Sequence, residues 1–569
     1  MTTPAPWLAH YGNVPHTLTY PAGSMAQIVL DAAEKYPTHA ALDFFGIKTT
    51  YATLADDIRL CARGLADCGI ARGARVTICM PNTPQAVVML YALNLLGAIA
   101  HMIHPLSAPE EIRRYMEKAG SVAVMTLDQF ASNLLSILPK TTAKTLILAG
   151  VEDGLSGIKK PLYRLTKGRK IERRPSGGEI LRYTDLLERG RKYHGELAAH
   201  SDPNDVAAIL QSGGTSGDSK GILLTNLNFN ALAMQTAAAG DCVIPGNKML
   251  AIMPVFHGFG LGVCIHTTLM HGAQCILVPQ FSIESYAKLL KKHRPHYIPG
   301  VPTLFEALLR LKGIEKLDLS QLMGVFCGGD SLTIELKRKV DQFLKDHGSE
   351  EQIRQGYGMT ESVTASCLTP RHFHKEGSIG VPYPDMMYKI VRPDSQDELP
   401  YGEEGEIAVS GPTVMKGYDG ESAENEKTLQ THPDGRIWLH TGDLGTMDSD
   451  GFIYFKGRLK RLIISSGYNI YPAALENIIE EHEAVLISCV IGVPDNYKMS
   501  RPKAFIILRD GQAATEEIRQ SIHDHCRANI AKYAMPAEFE YRESLPRTLI
   551  GKVAYRELEE EETNKREAM

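Results

Sequence analysis

Residues 211–221 read Gln-Ser-Gly-Gly-Thr-Ser-Gly-Asp-Ser-Lys-Gly, and apolar runs flank them at residues 206–210 and 222–224. This pattern predicts two strands joined by a polar, glycine-rich loop. The glycines permit positive φ and close backbone approach, so that successive amide groups can turn toward one anion. The loop therefore predicts a polyphosphate site, and the alternative is an ordinary polar hairpin turn. The residues predicted to bind phosphate are Ser212, Gly213, Gly214, Thr215, Ser216, Gly217 and Lys220.

The loop differs from the common phosphate loop, because no Gly-Lys-Ser or Gly-Lys-Thr sequence opens a helix here. Asp218 also lies within it, and a carboxylate is unfavourable beside phosphates unless it points away or meets a metal ion. The other motifs of the chain must therefore decide its chemistry.

Length and composition exclude several classes of protein. The 569 residues predict two or more domains with large cores. The 61 basic and 66 acidic residues give a net charge of −5, which argues against nucleic acid as a partner. Ten cysteines lie scattered without a Cys-x-x-Cys pair, which favours core residues in a reducing cytoplasm over disulfides or zinc ligands. No basic segment followed by an apolar one opens the chain, so we expect no secretory signal.

Strands and helices are predicted to alternate over residues 25–335. Residues 54–65 have apolar positions at helical spacing, and residues 76–80 form a short apolar run that is typical of a buried strand. The longest apolar stretch, residues 86–103, is interrupted by polar residues and predicts a buried helix that leads into a strand. This alternation predicts an α/β domain with largely parallel sheets.

A second motif, Gln-Gly-Tyr-Gly-Met-Thr-Glu-Ser, occupies residues 355–362. Tyr357 offers a flat face for a purine, and the turn after it presents a hydroxyl and a carboxylate to phosphates and a divalent cation. Mg²⁺ typically takes one or two carboxylates plus phosphate oxygens and water. The predicted nucleotide contacts are Tyr357, Gly358, Met359 and Thr360, and the predicted metal ligand is Glu361.

A third motif runs over residues 440–472. Asp443 ends a strand-like segment, where its carboxylate could accept both hydroxyl protons of a ribose. Residues 448–455 read as a hairpin with Asp-Gly at the turn, and Arg458 and Lys460 follow it. Taken alone, these two cations are also explained by an exposed strand end.

Two further glycine-containing segments are ambiguous by themselves. Residues 256–262, Phe-His-Gly-Phe-Gly-Leu-Gly, suggest a dinucleotide loop, but the third glycine comes one place early and no acid ends a following strand. Residues 328–332, Gly-Gly-Asp-Ser-Leu, look like the serine attachment site of acyl carrier proteins, yet they lie deep within the α/β pattern. A core residue is the alternative for His257.

Together, the motifs resemble the adenylate-forming superfamily of acyl-CoA synthetases, luciferases and peptide-synthetase adenylation domains. The Gly-Gly-Thr form of the loop resembles that of bacterial fatty acid–CoA ligases, and Pro-Trp-Leu at residues 6–8 with residues 51–54 resembles the long-chain members of that group. The resemblance covers nearly the whole chain. It implies ATP and coenzyme A as co-substrates and Mg²⁺ as the metal cofactor. It also implies a large N-terminal domain of mainly parallel sheets packed with helices, a β-barrel-like subdomain, and a small α+β C-terminal domain that rotates about a hinge.

The resemblance assigns a role to each motif. It places Gly328, Gly329 and Asp330 around adenine, Asp443 and Arg458 on ribose, and Glu361 on magnesium. His257 would border the acyl tunnel and act with Thr360 and Glu361 in catalysis. The catalytic lysine of the family matches Lys552, and Gly467 would lie beside the pantetheine tunnel. The implied domains are residues 1–457, a hinge at residues 458–460 with Lys460 as its pivot, and a mobile domain of residues 461–569.

The C-terminal region has its own pattern. Pro472 is predicted to open a helix, residues 485–493 to form a strand, and residues 516–529 to form the last helix. The acidic tail at residues 559–562 is predicted to be a solvated end.

The motifs and the family resemblance together predict a fatty acid–CoA ligase with a preference for long chains. No cation or acid is evident near residues 256–260 or 301–303 to meet a second charged group, and Gly258 and Gly260 are expected to leave room for a channel. Medium-chain, aromatic or sterol acids remain alternatives, and so does a catalytically silent nucleotide- or lipid-binding protein. A peptide-synthetase adenylation domain would need an aspartate near residues 256–258, and the sequence has none there. An acyl-AMP ligase would need an insertion after the hinge, and the segment there is too short for one.

Residues 158–193 carry twelve Lys or Arg against four acids. They are read either as a solvated insertion or as a peripheral contact with anionic lipid, where each charge contributes roughly 1 kcal/mol. We expect a cytoplasmic protein, a monomer or homodimer, whose partners are the small molecules fatty acid, ATP and CoA.

Overall fold

The computed structural model describes most of the chain, with gaps at several loops. It describes residues 5–155, 159–165, 180–197, 202–212, 219–241, 243–465, 468–495, 499–509, 511–547 and 553–567. Its strands are β1 (Ala40–Phe44), β2 (Ile47–Thr50), β3 (Arg75–Cys79), β4 (Ile99–Met102), β5 (Ala123–Leu127), β6 (Thr145–Ala149), β7 (Ile180–Arg182), β8 (Val206–Gln211), β9 (Gly221–Thr225), β10 (Lys248–Ala251), β11 (Gln274–Leu277), β12 (Tyr297–Gly300), β13 (Gly324–Cys327), β14 (Ile353–Tyr357), β15 (Cys367–Leu368), β16 (Val381–Pro382), β17 (Met387–Val391), β18 (Gly405–Ser410), β19 (Gly417–Tyr418), β20 (Leu429–Thr431), β21 (Ile437–Met447), β22 (Ile453–Arg458), β23 (Ile463–Ser465), β24 (Tyr468–Ile470), β25 (Val485–Asp495), β26 (Met499–Leu508) and β27 (Glu538–Tyr541).

The helices alternate with these strands in the first two thirds of the chain. They are α1 (Met25–Lys35), α2 (Tyr51–Asp67), α3 (Pro84–Leu95), α4 (Pro109–Ala119), α5 (Ala131–Ile137), α6 (Lys159–Leu165), α7 (Tyr183–Lys192), α8 (Asn226–Gly240), α9 (Thr268–Met270), α10 (Ile283–His293), α11 (Pro302–Leu309), α12 (Ile334–Asp346), α13 (Ser422–Thr428), α14 (Pro472–Glu480), α15 (Glu516–Asn529) and α16 (Tyr555–Glu567).

Two large, mainly parallel sheets form the N-terminal part of the protein. One has the strand order β19-β9-β8-β4-β3-β5-β6-β7, and the other has the order β16-β15-β14-β13-β12-β10-β11-β1-β2. Pairing within the middle of each sheet is parallel, and the antiparallel pairs β8–β9, β9–β19, β14–β15, β15–β16 and β1–β2 lie toward the edges. This arrangement confirms the predicted α/β class with parallel sheets.

The apolar stretch at residues 86–103 is the buried helix and strand that its pattern predicts. Every residue of α3 from Gln85 to Leu95 is buried, and the chain then enters β4. A helix that is apolar all round must be enclosed by other elements. Across the described ranges, no helix combines the length and the apolar character that crossing a membrane requires.

A third sheet of five antiparallel strands follows the two large ones. Its order is β17-β18-β21-β20, and β22 pairs with the other half of the long strand β21. The hairpin between β21 and β22 contains the predicted Asp-Gly turn. Within the described residues this sheet is open, because β17 forms no pair with β20 or β22. It corresponds to the predicted barrel-like subdomain.

The C-terminal part is a smaller α+β unit. Its sheet has the order β24-β23-β26-β25, with β27 paired to β26, and buried apolar residues between Ile463 and Leu558 form two clusters of their own. Helix α14 begins at Pro472 and α15 covers residues 516–529, as predicted. The fold is thus α/β, with a large N-terminal part and a smaller C-terminal one.

The prediction of a solvated acidic tail is wrong. The tail is part of a further helix, α16, whose Leu558 packs in the small core. The Glu562 carboxylate lies 2.8 Å from the buried Lys503 ammonium, which also lies 2.8 Å from Glu540. A buried ammonium group is unfavourable without a negatively charged partner. Glu562 of α16 supplies such a partner to Lys503, and this pairing holds the acidic end of the chain against the domain.

The basic segment, residues 158–193, is partly integrated in the fold. Strand β7 pairs in parallel with β6, and α7 lies against α2. A Cβ on Gly64 would lie 2.2 Å from the Leu186 carbonyl oxygen, and one on Gly190 would lie 2.1 Å from that of Leu60. Two glycines thus allow the helices to touch, so residues 180–192 are not a solvated insertion. Residues 166–179 lie outside the described residues.

Candidate active site

The predicted phosphate loop begins where β8 pairs with β9. Gln211 lies opposite Gly221 in this antiparallel pair. The Ser212 amide donates to the Lys220 carbonyl (2.9 Å), the Lys220 amide donates to Ser212 Oγ (2.9 Å), and Ser219 Oγ donates to the Ser212 carbonyl (2.7 Å). These bonds close the base of the loop. The rest of the predicted loop, Gly213, Gly214, Thr215, Ser216, Gly217 and Asp218, lies outside the described residues.

A buried polar column lies directly beneath the loop. Gln211 Nε2 lies 2.7 Å from His101 Nε2, and His101 Nδ1 lies 3.2 Å from Thr77 Oγ1. Burial lowers the pKa of His101 to about 3, so this imidazole is neutral. The side-chain oxygen of Gln211, Oε1, accepts from Ser219 Oγ (3.3 Å). The column therefore connects the inside of the sheet to the base of the loop, a link between distant residues that has no local signature in the sequence.

The Thr-Glu turn follows the carboxyl end of β14. Glu361 is buried, its Oε1 accepts from the Tyr418 hydroxyl (2.9 Å), and its carbonyl accepts from the Met415 amide (2.8 Å). Burial raises the pKa of the Glu361 carboxyl, and the hydrogen bond from Tyr418 opposes this shift. Gly358 and Met359 lead into this turn, and Thr360 is its first residue. Val363 ends the turn at φ +65°, a strained value for a β-branched residue.

A second charged centre joins β14 to the hairpin of β21 and β22. The Tyr357 hydroxyl donates to Asp443 Oδ2 (2.8 Å), and Arg458 Nε lies 3.2 Å from Asp443 Oδ1. Asp443 is 2 % exposed, and it faces Arg458 in the strand register. The negative charge of Asp443 raises the pKa of Arg458. The structure thus brings together three of the predicted nucleotide-site residues.

The Gly-Gly-Asp segment lies at the carboxyl edge of the nine-stranded sheet. The Gly328 amide donates to the Gly300 carbonyl (3.1 Å), and a Cβ on Gly328 would lie 3.3 Å from the Gly356 carbonyl oxygen. Gly329 has φ +84°, and Asp330 is exposed and accepts from the Ser331 amide (2.9 Å). Glycines therefore lie at or next to the ends of β12, β13 and β14, which leaves backbone without side chains near Tyr357, as a flat ring would require.

The glycines after His257 do not leave room for a channel, contrary to prediction. A Cβ on Gly258 would lie 1.7 Å from the Val363 carbonyl oxygen, and one on Gly260 would lie 2.0 Å from the Pro254 carbonyl oxygen. They are close-packing positions at the start of a π-helical segment, Phe259–Thr267. The Phe256 ring lies 4.3 Å from the ring of His104, and His257 Nδ1 accepts from the Phe259 amide (3.2 Å). Gly258 instead packs against the Thr-Glu turn.

Besides the loop residues, three further predicted residues cannot be placed in the site. Gly467 and Lys552 lie outside the described residues. Lys460 lies in the short 3-10 turn Leu459–Arg461, and the described structure does not extend to its side chain.

Comparisons with known proteins identify the family that the sequence motifs resemble. A family model described as "AMP-binding enzyme" matches residues 29–419, and one described as "AMP-binding enzyme C-terminal domain" matches residues 474–552. A long-chain-fatty-acid–CoA ligase of Bacillus subtilis is 34% identical over 99% of both chains, and one of Yersinia pestis is 30% identical over 98% of both chains.

Solved structures share the fold. ATP-bound MatB from Rhodopseudomonas palustris has a TM-score of 0.81 at 24% identity, covering 94% of this chain and 98% of that one. The anthranilate CoA ligase AuaEII, in complex with anthranoyl-AMP, has a TM-score of 0.81 at 23% identity, covering 97% and 98%. The chain therefore belongs to the AMP-binding enzyme family, and within it to the adenylate-forming CoA ligases.

Proposed function

We propose that this enzyme activates a long-chain fatty acid as its acyl-adenylate and transfers the acyl group to coenzyme A. The carboxylate oxygen of the acid attacks the α-phosphorus of ATP, and pyrophosphate leaves. The thiol of CoA then attacks the acyl carbon, a thioester forms, and AMP leaves. One observation carries this proposal. Strand β14 ends at Tyr357, whose hydroxyl contacts Asp443 beside Arg458, and the turn that follows the strand contains Glu361.

The roles we propose follow from these positions. Asp443, buried beside Arg458, would accept from the ribose hydroxyls, while Tyr357 and the glycines near the ends of the neighbouring strands would receive the adenine. The phosphates would be bound by Ser212 and Lys220 at the base of the loop and by the loop residues between them. Lys552 would supply a positive charge to the transition state of the first step.

The residues around Glu361 fit a magnesium ion that is held together with ATP. Glu361 offers one buried carboxylate, and among the described residues no group of three His, Cys, Asp or Glu could bind a metal by itself. A magnesium ion usually takes one or two carboxylates and completes its shell with phosphate oxygens and water. Bound here, it would neutralise charge on the phosphates of ATP.

The hinge is proposed between Arg458 and Arg461. Arg458 contacts Asp443 of the third sheet, whereas Arg461 donates to Glu476 of α14 (2.6 Å) and to the Val490 carbonyl of β25 (3.2 Å). Each arginine is thus attached to a different part of the protein. The intervening turn, which contains Lys460, is where a rotation would separate these two sets of contacts.

A preference for long chains is supported by the curated relatives from B. subtilis and Y. pestis, which are named long-chain-fatty-acid–CoA ligases. It is also supported by residues 256–260, which contain no Lys, Arg, Asp or Glu that could pair with a second charged group of the acid. An unpaired polar group in an apolar pocket costs roughly 1–3 kcal/mol.

Pyrophosphate release should increase with the chain length of the acid. We expect kcat/KM to rise severalfold for every two carbons between C6 and the end of the pocket, because each buried CH₂ contributes up to about 0.8 kcal/mol. The assay would use saturated acids from C6 to C18, with benzoate and an amino acid as controls. A maximum at or below C6, or a preference for benzoate, would contradict the long-chain assignment while leaving the ligase chemistry intact.

A further inference from the structure

Tyr418 is a buried tyrosine outside all the motifs of the sequence, and the backbone fixes it beside the phosphate loop. It belongs to the short strand β19, where it pairs with Ile222 of β9. The Lys416 amide donates to the Leu223 carbonyl (2.9 Å), and the Asp419 amide donates to the Gly221 carbonyl (2.8 Å). Tyr418 is therefore held next to β9, the strand that follows the predicted phosphate loop, with little freedom to move away from it.

The Tyr418 side chain joins two residues of the proposed phosphate site. Its hydroxyl donates to Glu361 Oε1 (2.9 Å), and the Lys220 ammonium lies over its ring, 5.1 Å from the centre. The same ammonium lies 2.7 Å from Glu424 Oε1 of α13. A cation over a tyrosine ring is attracted by the electrons of the ring face. One side chain thus fixes a carboxylate with its hydroxyl and holds a cation on its ring.

We propose that Tyr418 is a positioning residue for the phosphate site, and that Glu424 holds the Lys220 ammonium on the Tyr418 ring until the phosphates of ATP replace it. This inference rests on the proposed ligase function. The hydroxyl of Tyr418 fixes the orientation of the Glu361 carboxylate. Its ring gives the ammonium group a surface without fixed hydrogen-bond acceptors.

The ion pair between Lys220 and Glu424 is weak enough for the phosphates of ATP to replace Glu424 as the partner of the lysine. The Lys220 and Glu424 side chains are about a third exposed, and such ion pairs contribute little because water screens them. A polyphosphate carries several negative charges and would outcompete one carboxylate. The hydrogen bond from Tyr418 to the Glu361 carboxyl group is buried and not screened by water, so it is the stronger contact of the two.

The first test replaces only the hydroxyl of Tyr418. Tyr418→Phe should lower single-turnover formation of acyl-adenylate by about 10–100-fold, since a hydrogen bond to a charged group is lost. Thioester formation from supplied acyl-adenylate should stay within about twofold of the parent. The matched control is Tyr51→Phe, which removes a buried hydroxyl that donates to the Ala273 carbonyl (2.6 Å) and whose acceptors include no proposed site residue.

The control separates a structural effect from a positional one. Tyr51→Phe should lower the thermal midpoint by an amount similar to that of Tyr418→Phe, without changing either half-reaction. An unchanged rate of adenylation in Tyr418→Phe, or an equal fall in both half-reactions, would overturn the positioning role.

The second test releases the lysine. Glu424→Gln should lower the Kd of ATP, measured by calorimetry without acid, by about 2–5-fold, because the phosphates no longer compete with an exposed carboxylate. Glu421→Gln is the control, since Glu421 pairs with Lys118 (2.6 Å) just before the same helix. Weaker ATP binding in Glu424→Gln would overturn the inference that Glu424 is displaced.

The two proposals can fail separately. If the parent enzyme released no pyrophosphate with any acid, the ligase function would be contradicted. The calorimetric comparison of Glu424→Gln with Glu421→Gln would still decide whether Glu424 competes with the phosphates for Lys220.

Discussion

Replacing Lys552 with alanine should reduce acyl-adenylate formation by at least about 10²–10³-fold. This is the expected effect when one group that stabilises developing charge in a transition state is removed. Thioester formation from supplied acyl-adenylate should remain close to that of the parent, because the lysine is proposed to act in the first half-reaction. The two rates would be measured by single-turnover quenching, with ATP and acid in one experiment and with acyl-adenylate and CoA in the other.

A second lysine near the C-terminus provides the control. Lys565 lies in α16, where its ammonium is half-exposed and 2.7 Å from Glu562, so that Lys565→Ala should leave both half-reactions unchanged. If Lys552→Ala lowered both half-reactions equally, the lysine would not belong to the first step alone.

The opposite pattern is expected for Lys460→Pro. Proline fixes φ near −65° and removes an amide donor, so it should prevent the turn at Leu459–Arg461 from changing conformation. Acyl-adenylate should still form, while the yield of CoA thioester should fall to the background, because the small domain could not turn to admit CoA. The measurement is the ratio of pyrophosphate to thioester in a single turnover.

Lys460→Ala is the matched control at the same position, since it removes the side chain but leaves the backbone free to rotate. It should yield thioester within a few-fold of the parent. A normal thioester yield in Lys460→Pro would place the pivot elsewhere in the chain.

The parts of the fold that were predictable have a local pattern. The apolar run at residues 86–103 encodes α3 and β4 because a helix enclosed on all sides needs no polar face. The Asp-Gly turn after β21 and Pro472 at the start of α14 are signals within a few residues of their elements. The Tyr357–Asp443–Arg458 centre was predictable because each residue belongs to a recognisable motif.

The parts that were missed depend on contacts between distant residues. Gly258 and Gly260 look the same in sequence whether they border a cavity or pack against carbonyl oxygens, and the second is the case. Strand β19 has two residues, too few for any periodicity, so nothing in the sequence singled out Tyr418. The tail at residues 559–562 looks solvated until Lys503, more than fifty residues earlier, provides the opposite charge.

Exchange of labelled pyrophosphate into ATP tests the central claim that the acid is activated as an acyl-adenylate before CoA reacts. The enzyme, ATP, a C16 acid and labelled pyrophosphate would be mixed without CoA, and the label in ATP would be followed with time. We expect exchange that requires the acid and proceeds without CoA, followed by AMP and thioester in equal amounts when CoA is added. Formation of ADP and phosphate, or exchange that requires CoA, would contradict an acyl-adenylate formed before the thiol acts.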